Sequence, residues 1–233
     1  MQKEHNQNQS VPVIAIDGPS SSGKGTISVM LAKYLKWHFL DSGSIYRAIA
    51  WAILHYQISP DDQAALARLL KRVQIAIQDR AEQISRITCD GYDISDDIRS
   101  EDCAMMASKV SAYPMVREAV LQYQRDFRRP PGLVADGRDM GTVVFPDANV
   151  KFFFEADPKE RAERRFKQLQ ARGINVSLRD IQEELMERDR RDIDREISPT
   201  KPADDAIVID TTNLGIDQVF VEVVKHVEER LRG

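Results

Sequence analysis

Residues 11–26 have the sequence VPVIAIDGPSSSGKGT, an apolar, β-branched run followed by a glycine-rich loop. A short run that is apolar throughout is typical of a strand buried on both faces of a parallel sheet. The next residues, 26–35, carry apolar side chains at helical spacing. A GxxxxGK sequence that follows a strand and opens a helix predicts a phosphate-binding loop, or P-loop.

The loop favours a nucleoside triphosphate as its ligand. Its glycines let backbone N–H groups converge on phosphate oxygens, and the following helix adds the positive end of its dipole. The side chain of Lys24 is long enough to reach the β- and γ-phosphates. The usual pattern has Ser or Thr directly after the lysine as a Mg²⁺ ligand, but here Gly25 intervenes, so the sequence leaves the metal ligands unidentified. The predicted residues that bind the triphosphate, which the family resemblance given below specifies as ATP, are Gly18, Pro19, Ser20, Ser21, Ser22, Gly23, Lys24, Gly25 and Thr26.

Strand-like runs alternate with helical patterns along the chain. Such alternation predicts an α/β fold, a P-loop core of about five parallel strands flanked by helices. A helix is predicted near the end, at residues 216–231, from Val219, Val223, Val227 and Leu231. The four further strands are predicted at residues 37–41, 133–136, 150–156 and 206–210.

Two segments interrupt this alternation. Residues 73–95 predict a small antiparallel insertion with a turn at Asp90-Gly91. Residues 161–195 hold nine arginines and eight acidic residues, so we expect a helical lid with a weak apolar core that is mobile. The predicted division is a disordered tail (1–10), a P-loop core (11–62, 116–165 and 199–233), a monophosphate-binding region with the insertion (63–115), and the arginine-rich lid (166–198).

Composition excludes several classes of protein. The chain has 233 residues and a net charge of −4, which argues against a general nucleic-acid binder. No apolar run approaches the roughly 20 residues of a membrane helix, and residues 1–10 lack the apolar core of a signal peptide. Cys89 and Cys103 form neither a metal-binding pattern nor a disulfide framework. We therefore expect a cytoplasmic protein.

Two polar clusters follow predicted strands, where ligands of doubly wound sheets bind. In Asp41–Arg47 (DSGSIYR), Ser42 can hydrogen-bond a ligand and Arg47 can hold a phosphate, although a helix cap with a surface arginine would have the same sequence. In Asp136–Gly141 (DGRDMG), Asp136 resembles the metal-binding carboxylate at the end of an apolar strand in P-loop proteins. A tight turn is the alternative for this second cluster.

A third cluster lies in the predicted lid, where residues 187–195 have the sequence ERDRRDIDR. Arg188, Asp192 and Arg195 are spaced i, i+4 and i+7, which places them on one helix face. A solvent-exposed face of i, i+4 ion pairs has the same pattern. In a P-loop protein, however, an arginine-bearing lid supplies positive charge around the transferred phosphoryl group.

Taken together, the motifs resemble those of the bacterial cytidylate kinases, a nucleoside monophosphate kinase branch of the P-loop family, from about Val11 to Leu231. The resemblance is carried by IDGPSSSGKGT, LDSGSIYR, ADGRDMGTVVFPDA, the ERDRRD run and AIVIDTT. It implies transfer of the γ-phosphoryl group of ATP to CMP or dCMP with Mg²⁺. It also implies a monomer, while the composition leads us to expect that the protein binds neither nucleic acid nor membrane.

The resemblance also implies roles for single residues. The CMP phosphate and the developing charge would be held by Arg47, Arg138 and Arg195. Cytosine would be recognised by Ser108, Arg117 and Asp139, and Arg188 and Asp192 would lie near the ribose hydroxyls. The expected catalytic residues are Lys24, Asp136, Arg138, Arg188 and Arg195, and the remaining expected substrate-binding residue is Ser42.

Three other functions stay open on the sequence alone. A P-loop kinase for UMP, AMP or a small metabolite would carry the same loop. A GTPase would need an Asn/Thr-Lys-x-Asp element, and Thr200-Lys201-Pro202-Ala203-Asp204 differs from it by one residue of spacing. A nucleic-acid-dependent ATPase is disfavoured by the acidic balance and by the lack of a basic stripe with aromatic residues.

Overall fold

The fold is known from a computed structural model, which describes residues 11–78 and 86–232. The predicted tail, residues 1–10, lies outside the described residues. The described residues divide into two compact units, the first formed by the chain up to residue 40 and from residue 128 onward, and the second within residues 41–127.

The described residues form eight strands and eight α-helices. In chain order these are β1 (Val13–Asp17), α1 (Lys24–Leu35), β2 (His38–Asp41), α2 (Ser42–His55), α3 (Gln63–Arg72), β3 (Ile75–Gln78), β4 (Arg86–Cys89), β5 (Tyr92–Asp93), α4 (Glu101–Val110), α5 (Pro114–Arg125), β6 (Leu133–Gly137), β7 (Val150–Glu155), α6 (Pro158–Gln170), α7 (Leu178–Ile193), β8 (Ile207–Asp210) and α8 (Ile216–Arg232). No helix within these described ranges has both the length and the apolar composition that a membrane crossing requires.

A five-stranded parallel sheet organises the first unit, in the order β2-β6-β1-β7-β8. Every residue of β1 and β6 is buried, as expected for the two strands that helices cover on both faces. All five predicted strands are present with ends shifted by at most two residues, so the predicted α/β fold class is confirmed. The register pairs Ile16 with Asp136 and Asp17 with Gly137, which places the ends of β1 and β6 together.

Helices α1 and α8 pack on this sheet. Ile27 and Leu31 of α1 are buried in one cluster with Val219, Val223 and Val227 of α8. The four-residue spacing of the valines keeps them on one helix face. The predicted helix at residues 216–231 is therefore confirmed, and its apolar stripe contributes to the core on which the P-loop rests.

Helices α6 and α7 form a smaller packed pair in the first unit. Its core consists of Ala162, Leu169, Ile181 and Leu185. This small apolar set agrees with the weak core predicted for the arginine-rich segment. The mobility of this segment stays a prediction, as does the division of the chain into core, monophosphate-binding region and lid.

The second unit combines α2 to α5 with a three-stranded antiparallel sheet, β3-β4-β5. Asp90 and Gly91 both have positive φ angles, 48° and 88°, the backbone conformation of a tight hairpin turn. The predicted antiparallel insertion and its turn are thus confirmed for residues 75–78 and 86–93. Residues 79–85, which the predicted hairpin also included, lie outside the described residues.

Candidate active site

The phosphate-binding loop begins where β1 passes closely beside β7. Gly18 has a φ of 144°, and a Cβ at this position would overlap the carbonyl oxygen of Phe154. Gly23, with a φ of 91°, precedes the first residue of α1. Glycine is required at the start of the loop because both the backbone angle and the close approach exclude a side chain.

Gly18→Ala is expected to destabilise the protein by about 3 kcal/mol, since it adds overlap with a strand backbone to strain at positive φ. Gly173→Ala is the matched control in the same unit, because Gly173 has a φ of 74° but open space where its Cβ would be. Urea denaturation of both variants measures the difference. Equal losses of stability in the two variants would contradict the proposed overlap.

Lys24 and Asp136 face each other across the loop. The Lys24 Nζ donates to the carbonyl oxygen of Pro19 at 3.1 Å and lies 3.9 Å from Oδ1 of Asp136. Both residues are buried. The two predicted catalytic residues are therefore brought together at the carboxyl ends of β1 and β6.

The glycine after Lys24 has a structural explanation. A Cβ at Gly25 would lie 3.1 Å from Oδ2 of Asp136, which is tighter than ordinary van der Waals contact. Thr26, the next hydroxyl along the chain, is exposed. The departure from the usual P-loop pattern thus makes room for the Asp136 carboxylate.

Asp17 is a buried acid that the sequence reasoning did not select. Its two carboxylate oxygens accept hydrogen bonds from the backbone N–H groups of Met140 and Gly141, both at 2.8 Å. Burial raises the pKa of Asp17 to about 7; these hydrogen bonds oppose the rise, and the charges of Asp139 and Asp136 add to it. The last residue of β1 therefore holds the loop that follows β6. A carboxylate at the end of an apolar strand was the available sequence signal.

Arg138 links the P-loop to α7. Its Nη2 donates to Ser20 Oγ at 2.8 Å and its Nε donates to Oδ2 of Asp192 at 3.0 Å. Although burial raises the pKa of Asp192, the charges of Arg138, Arg188 and Arg195 hold the pKa of this carboxyl below its usual range. The structure thus brings together the predicted residues Ser20, Arg138 and Asp192. Asp139, the neighbour of Arg138, is buried.

The predicted helix face of Arg188, Asp192 and Arg195 is wrong in one respect. Helix α7 ends at Ile193, so Arg195 lies beyond the helix rather than two turns along it. The Nη2 of Arg195 donates to the carbonyl oxygen of Ser198 at 2.8 Å, and Nη1 lies 4.0 Å from Oδ1 of Asp192. The loop after α7, and not helical spacing, brings this arginine to Asp192.

Arg161 is a second residue that the sequence reasoning missed. It is 4% exposed, and its guanidinium donates to the carbonyl oxygen of Ser20 at 3.2 Å and to Oδ2 of Asp189 at 2.6 Å. No local signal distinguished Arg161 from the other arginines of residues 161–195. Its burial depends on α6 beginning next to the loop.

A cavity of about 570 Å³ opens beside the P-loop in the first unit. This volume lies within the range of small-molecule sites, about 300–1,000 Å³. Both basic and acidic side chains contribute to its walls. The lining residues are Pro19, Phe153, Glu155, Ala156, Asp157, Arg161, Asp189, Asp192, Ile193, Thr200, Asp210, Thr212 and Asn213.

In the second unit, two predicted substrate-binding residues lie at the start of α2. Ser42 is buried and its Oγ accepts a hydrogen bond from Gln124 Nε2 at 2.7 Å. Arg47 Nη2 donates to Oδ2 of Asp41 at 3.1 Å, and Nε of Arg47 is buried with no hydrogen-bond partner among the described residues. A buried guanidinium N–H in this state has donor capacity left for an anion. The sequence reasoning missed Gln124, which supports Ser42.

The predicted cytosine-recognising residues of this unit share a contact with Ser111. Arg117 Nη1 donates to the carbonyl oxygen of Ser111 at 3.1 Å, and Ser111 Oγ donates to the carbonyl oxygen of Ser108 at 3.0 Å. Ser108 Oγ is buried and has no hydrogen-bond partner among the described residues. The hydroxyl of Ser108 can therefore bond a polar ligand. Arg117 is buried as well.

The donor set near Lys24 suits Mg²⁺. Among the described residues, no three Asp, Glu, His or Cys side chains are grouped as a metal site. Mg²⁺ usually keeps several waters and binds one or two carboxylates together with substrate phosphates. The Asp136 carboxylate, 3.9 Å from Lys24 at the loop, offers the oxygen ligand that this mode of binding requires.

Sequence similarity to known proteins identifies the family of this chain. The profile of the family described as cytidylate kinase matches residues 14–229. A cytidylate kinase from Coxiella burnetii is 66% identical over 220 residues, 94% of this chain and 93% of that protein. A cytidylate kinase from Aeromonas hydrophila is 50% identical over 96% of this chain and 96% of its own length. A cytidylate kinase from Nitrosococcus oceani is 49% identical over 92% of this chain and 95% of its own length. The resemblance inferred from the motifs is confirmed, and the chain belongs to the cytidylate kinase family.

Proposed function

We propose that this protein catalyses ATP-dependent phosphorylation of CMP and dCMP to CDP and dCDP. An oxygen of the monophosphate forms a bond to the γ-phosphorus of ATP while the bond from that phosphorus to the β–γ bridging oxygen breaks, releasing ADP. No covalent intermediate with the protein is required, because catalysis of phosphoryl transfer consists of positioning and charge stabilisation. The observation that carries the proposal is the P-loop with Lys24 and the neighbouring Arg138–Asp192 pair in a chain of this family.

On the donor side, the backbone of residues 18–26 would bind the ATP phosphates. Lys24 would approach the β- and γ-phosphates from the first turn of α1. Its ammonium lies beside Asp136, which we propose as the carboxylate that contributes to Mg²⁺ binding. Bound Mg²⁺ would neutralise negative charge on the phosphates.

On the acceptor side, we propose that Ser42 and Arg47 bind the CMP phosphate. Arg47 has a buried Nε that lacks a partner among the described residues, and an arginine suits bidentate binding of a phosphate. Ser108, Arg117 and Asp139 would recognise cytosine. A buried hydroxyl such as Ser108 Oγ favours a base with matching polar groups, because the wrong base would leave it unpaired.

Arg138, Arg188 and Arg195 would stabilise the charge that develops during transfer. All three act on Asp192, whose pKa they lower. Asp192 therefore stays ionised and keeps these guanidinium groups gathered until phosphates bind. Asp192 and Arg188 are also proposed to contact the ribose hydroxyls. We further propose that the enzyme acts in the cytoplasm and is a monomer. Size-exclusion chromatography with light scattering tests the monomer, for which a mass of 26.5 kDa is expected.

A coupled assay of ADP release tests the proposed function with CMP, dCMP, UMP, AMP and GMP as acceptors. CMP and dCMP are expected to have kcat/KM values at least about tenfold above the other three, because base recognition relies on buried polar groups. Equal values for UMP and CMP would contradict the cytosine assignment and favour a less selective P-loop kinase. Absence of acceptor-dependent ADP release would contradict kinase activity altogether.

A further inference from the structure

Ser20 is the point at which two arginines meet the P-loop. Its hydroxyl accepts from Arg138 and its backbone carbonyl accepts from Arg161. Each arginine also pairs with an aspartate of α7, Arg138 with Asp192 and Arg161 with Asp189. The two aspartates are three residues apart and therefore neighbours on the helix surface.

Arg161 is held by three contacts that point in different directions. Its Nη1 donates to Ser20 O at 3.2 Å, its Nη2 donates to Asp189 at 2.6 Å, and its Nε donates to the carbonyl oxygen of Ala156 at 3.1 Å. These contacts join the P-loop, α7 and the chain just before α6. The planar guanidinium can satisfy all three at once, whereas a lysine ammonium on a flexible stem cannot hold the same geometry.

We propose that Arg161 and Asp189 form a positioning pair that holds Ser20 of the P-loop and helix α7 in register for phosphoryl transfer. The pair acts through its neighbours: the backbone of Ser20 belongs to the phosphate cradle, and α7 carries Arg188 and Asp192. The inference rests on the proposed function, since the register matters only if phosphates are transferred at this loop.

A competing role for Arg161, as a direct ligand of ATP, predicts the opposite change in the KM for ATP when the charge of Asp189 is removed. If Arg161 were instead a direct ligand of ATP phosphate, Asp189 would compete with ATP for its guanidinium. Removing the charge of Asp189 would then strengthen ATP binding and lower the KM for ATP. The positioning role predicts that the same change weakens ATP use, because the arginine loses the partner that orients it.

Steady-state kinetics of Arg161→Lys, Asp189→Asn and the double variant test the pair. Each single variant is expected to lower kcat/KM for ATP at least tenfold. The kcat/KM of the double variant is expected to be no lower than that of the less active single variant. Arg179→Lys is the matched control, because Arg179 lies on the same helix α7 with a side chain 85% exposed. The control is expected to retain wild-type kinetics.

Asp189→Glu separates an ionic role from a packing role. The isosteric Asp189→Asn retains shape without charge, and Asp189→Glu retains charge with one more methylene. The positioning role of Arg161 and Asp189 would be supported if Asp189→Glu recovered kcat/KM relative to Asp189→Asn, with the melting temperatures of both Asp189 variants near that of Arg179→Lys. The inference would be overturned if Asp189→Asn were more active than Asp189→Glu, or if its KM for ATP were lower than that of the wild-type protein. It would also be overturned if the losses of the two single variants multiplied in the double variant. Lack of CMP-dependent ADP release in the wild-type protein would instead contradict the proposed function.

Discussion

Lys24→Met is expected to lower kcat by about 10²- to 10³-fold, the usual effect of removing one preorganised charge-stabilising group. The ammonium of Lys24 lies beside Pro19 O and Asp136 at the start of α1, where the β- and γ-phosphates of ATP are proposed to bind. Methionine retains much of the side-chain volume and removes the charge. The KM for CMP is expected to change much less than kcat, because the lost interaction stabilises the transferred phosphoryl group.

The control for Lys24 lies on the same helix. Lys33 is exposed in the last turn of α1, so Lys33→Met removes the same charge away from the loop and is expected to retain wild-type kcat. Lys24→Met removes a cation that neighbours the buried Asp136, which is expected to lower the stability of the protein. We therefore compare kcat at a temperature well below the melting temperature of each protein. A kcat of Lys24→Met within about threefold of the control would contradict the role of this lysine.

Asp17→Asn is expected to remove a pH dependence of stability that the wild-type protein has. The pKa of Asp17 is raised from its model-peptide value of 3.8 to about 7. Between these values the folded state binds a proton that the unfolded state has released, so the free energy of unfolding falls as pH rises. The stabilisation is fully present below the unfolded-state pKa and lost as pH rises through the folded-state pKa near 7. Relative to Asp17→Asn, the wild-type protein should lose about 2 kcal/mol between pH 5 and pH 7.

Urea denaturation at several pH values measures this effect as a difference between proteins. Every other source of pH dependence is shared by the two proteins and cancels when their unfolding free energies are compared. Asp204→Asn serves as the control for loss of a carboxylate, since Asp204 is exposed. Parallel plots of unfolding free energy against pH for wild type and Asp17→Asn would contradict the raised pKa of Asp17.

Local sequence patterns were sufficient for the five strands of the parallel sheet, for the antiparallel insertion and for helices α1 and α8. The run VIAID buries every residue in β1 because a strand covered on both faces needs apolar side chains throughout. The Asp90-Gly91 dipeptide adopts the positive φ angles that its turn requires because few other residue pairs tolerate them. The end of α7 was beyond such reasoning, since charged i, i+4 spacing continues past Ile193 while the helix does not.

The candidate site was only partly predictable. Lys24 was selected from the GxxxxGK motif and Asp136 from its place at the end of an apolar strand. The parallel register of β1 and β6 brings the start of the P-loop and Asp136 to the same edge of the sheet. Asp17 and Arg161 were missed because their partners are distant in sequence. Met140, which donates a hydrogen bond to Asp17, is 123 residues away from it in sequence. Ser20, which accepts a hydrogen bond from Arg161, is 141 residues away from that arginine.

The amino-acid sequence by itself determined the P-loop, the alternation of strands and helices and the family, because each of these depends on contiguous residues with a defined spacing. The tertiary structure alone decided which charged side chains are paired and buried. Arg161 and Arg179 belong to the same arginine-rich segment, yet one is 4% exposed beside the loop and the other has a side chain 85% exposed. The physical reason is that desolvation and hydrogen-bond geometry depend on which distant segments the fold brings against a side chain, and not on its sequence neighbours.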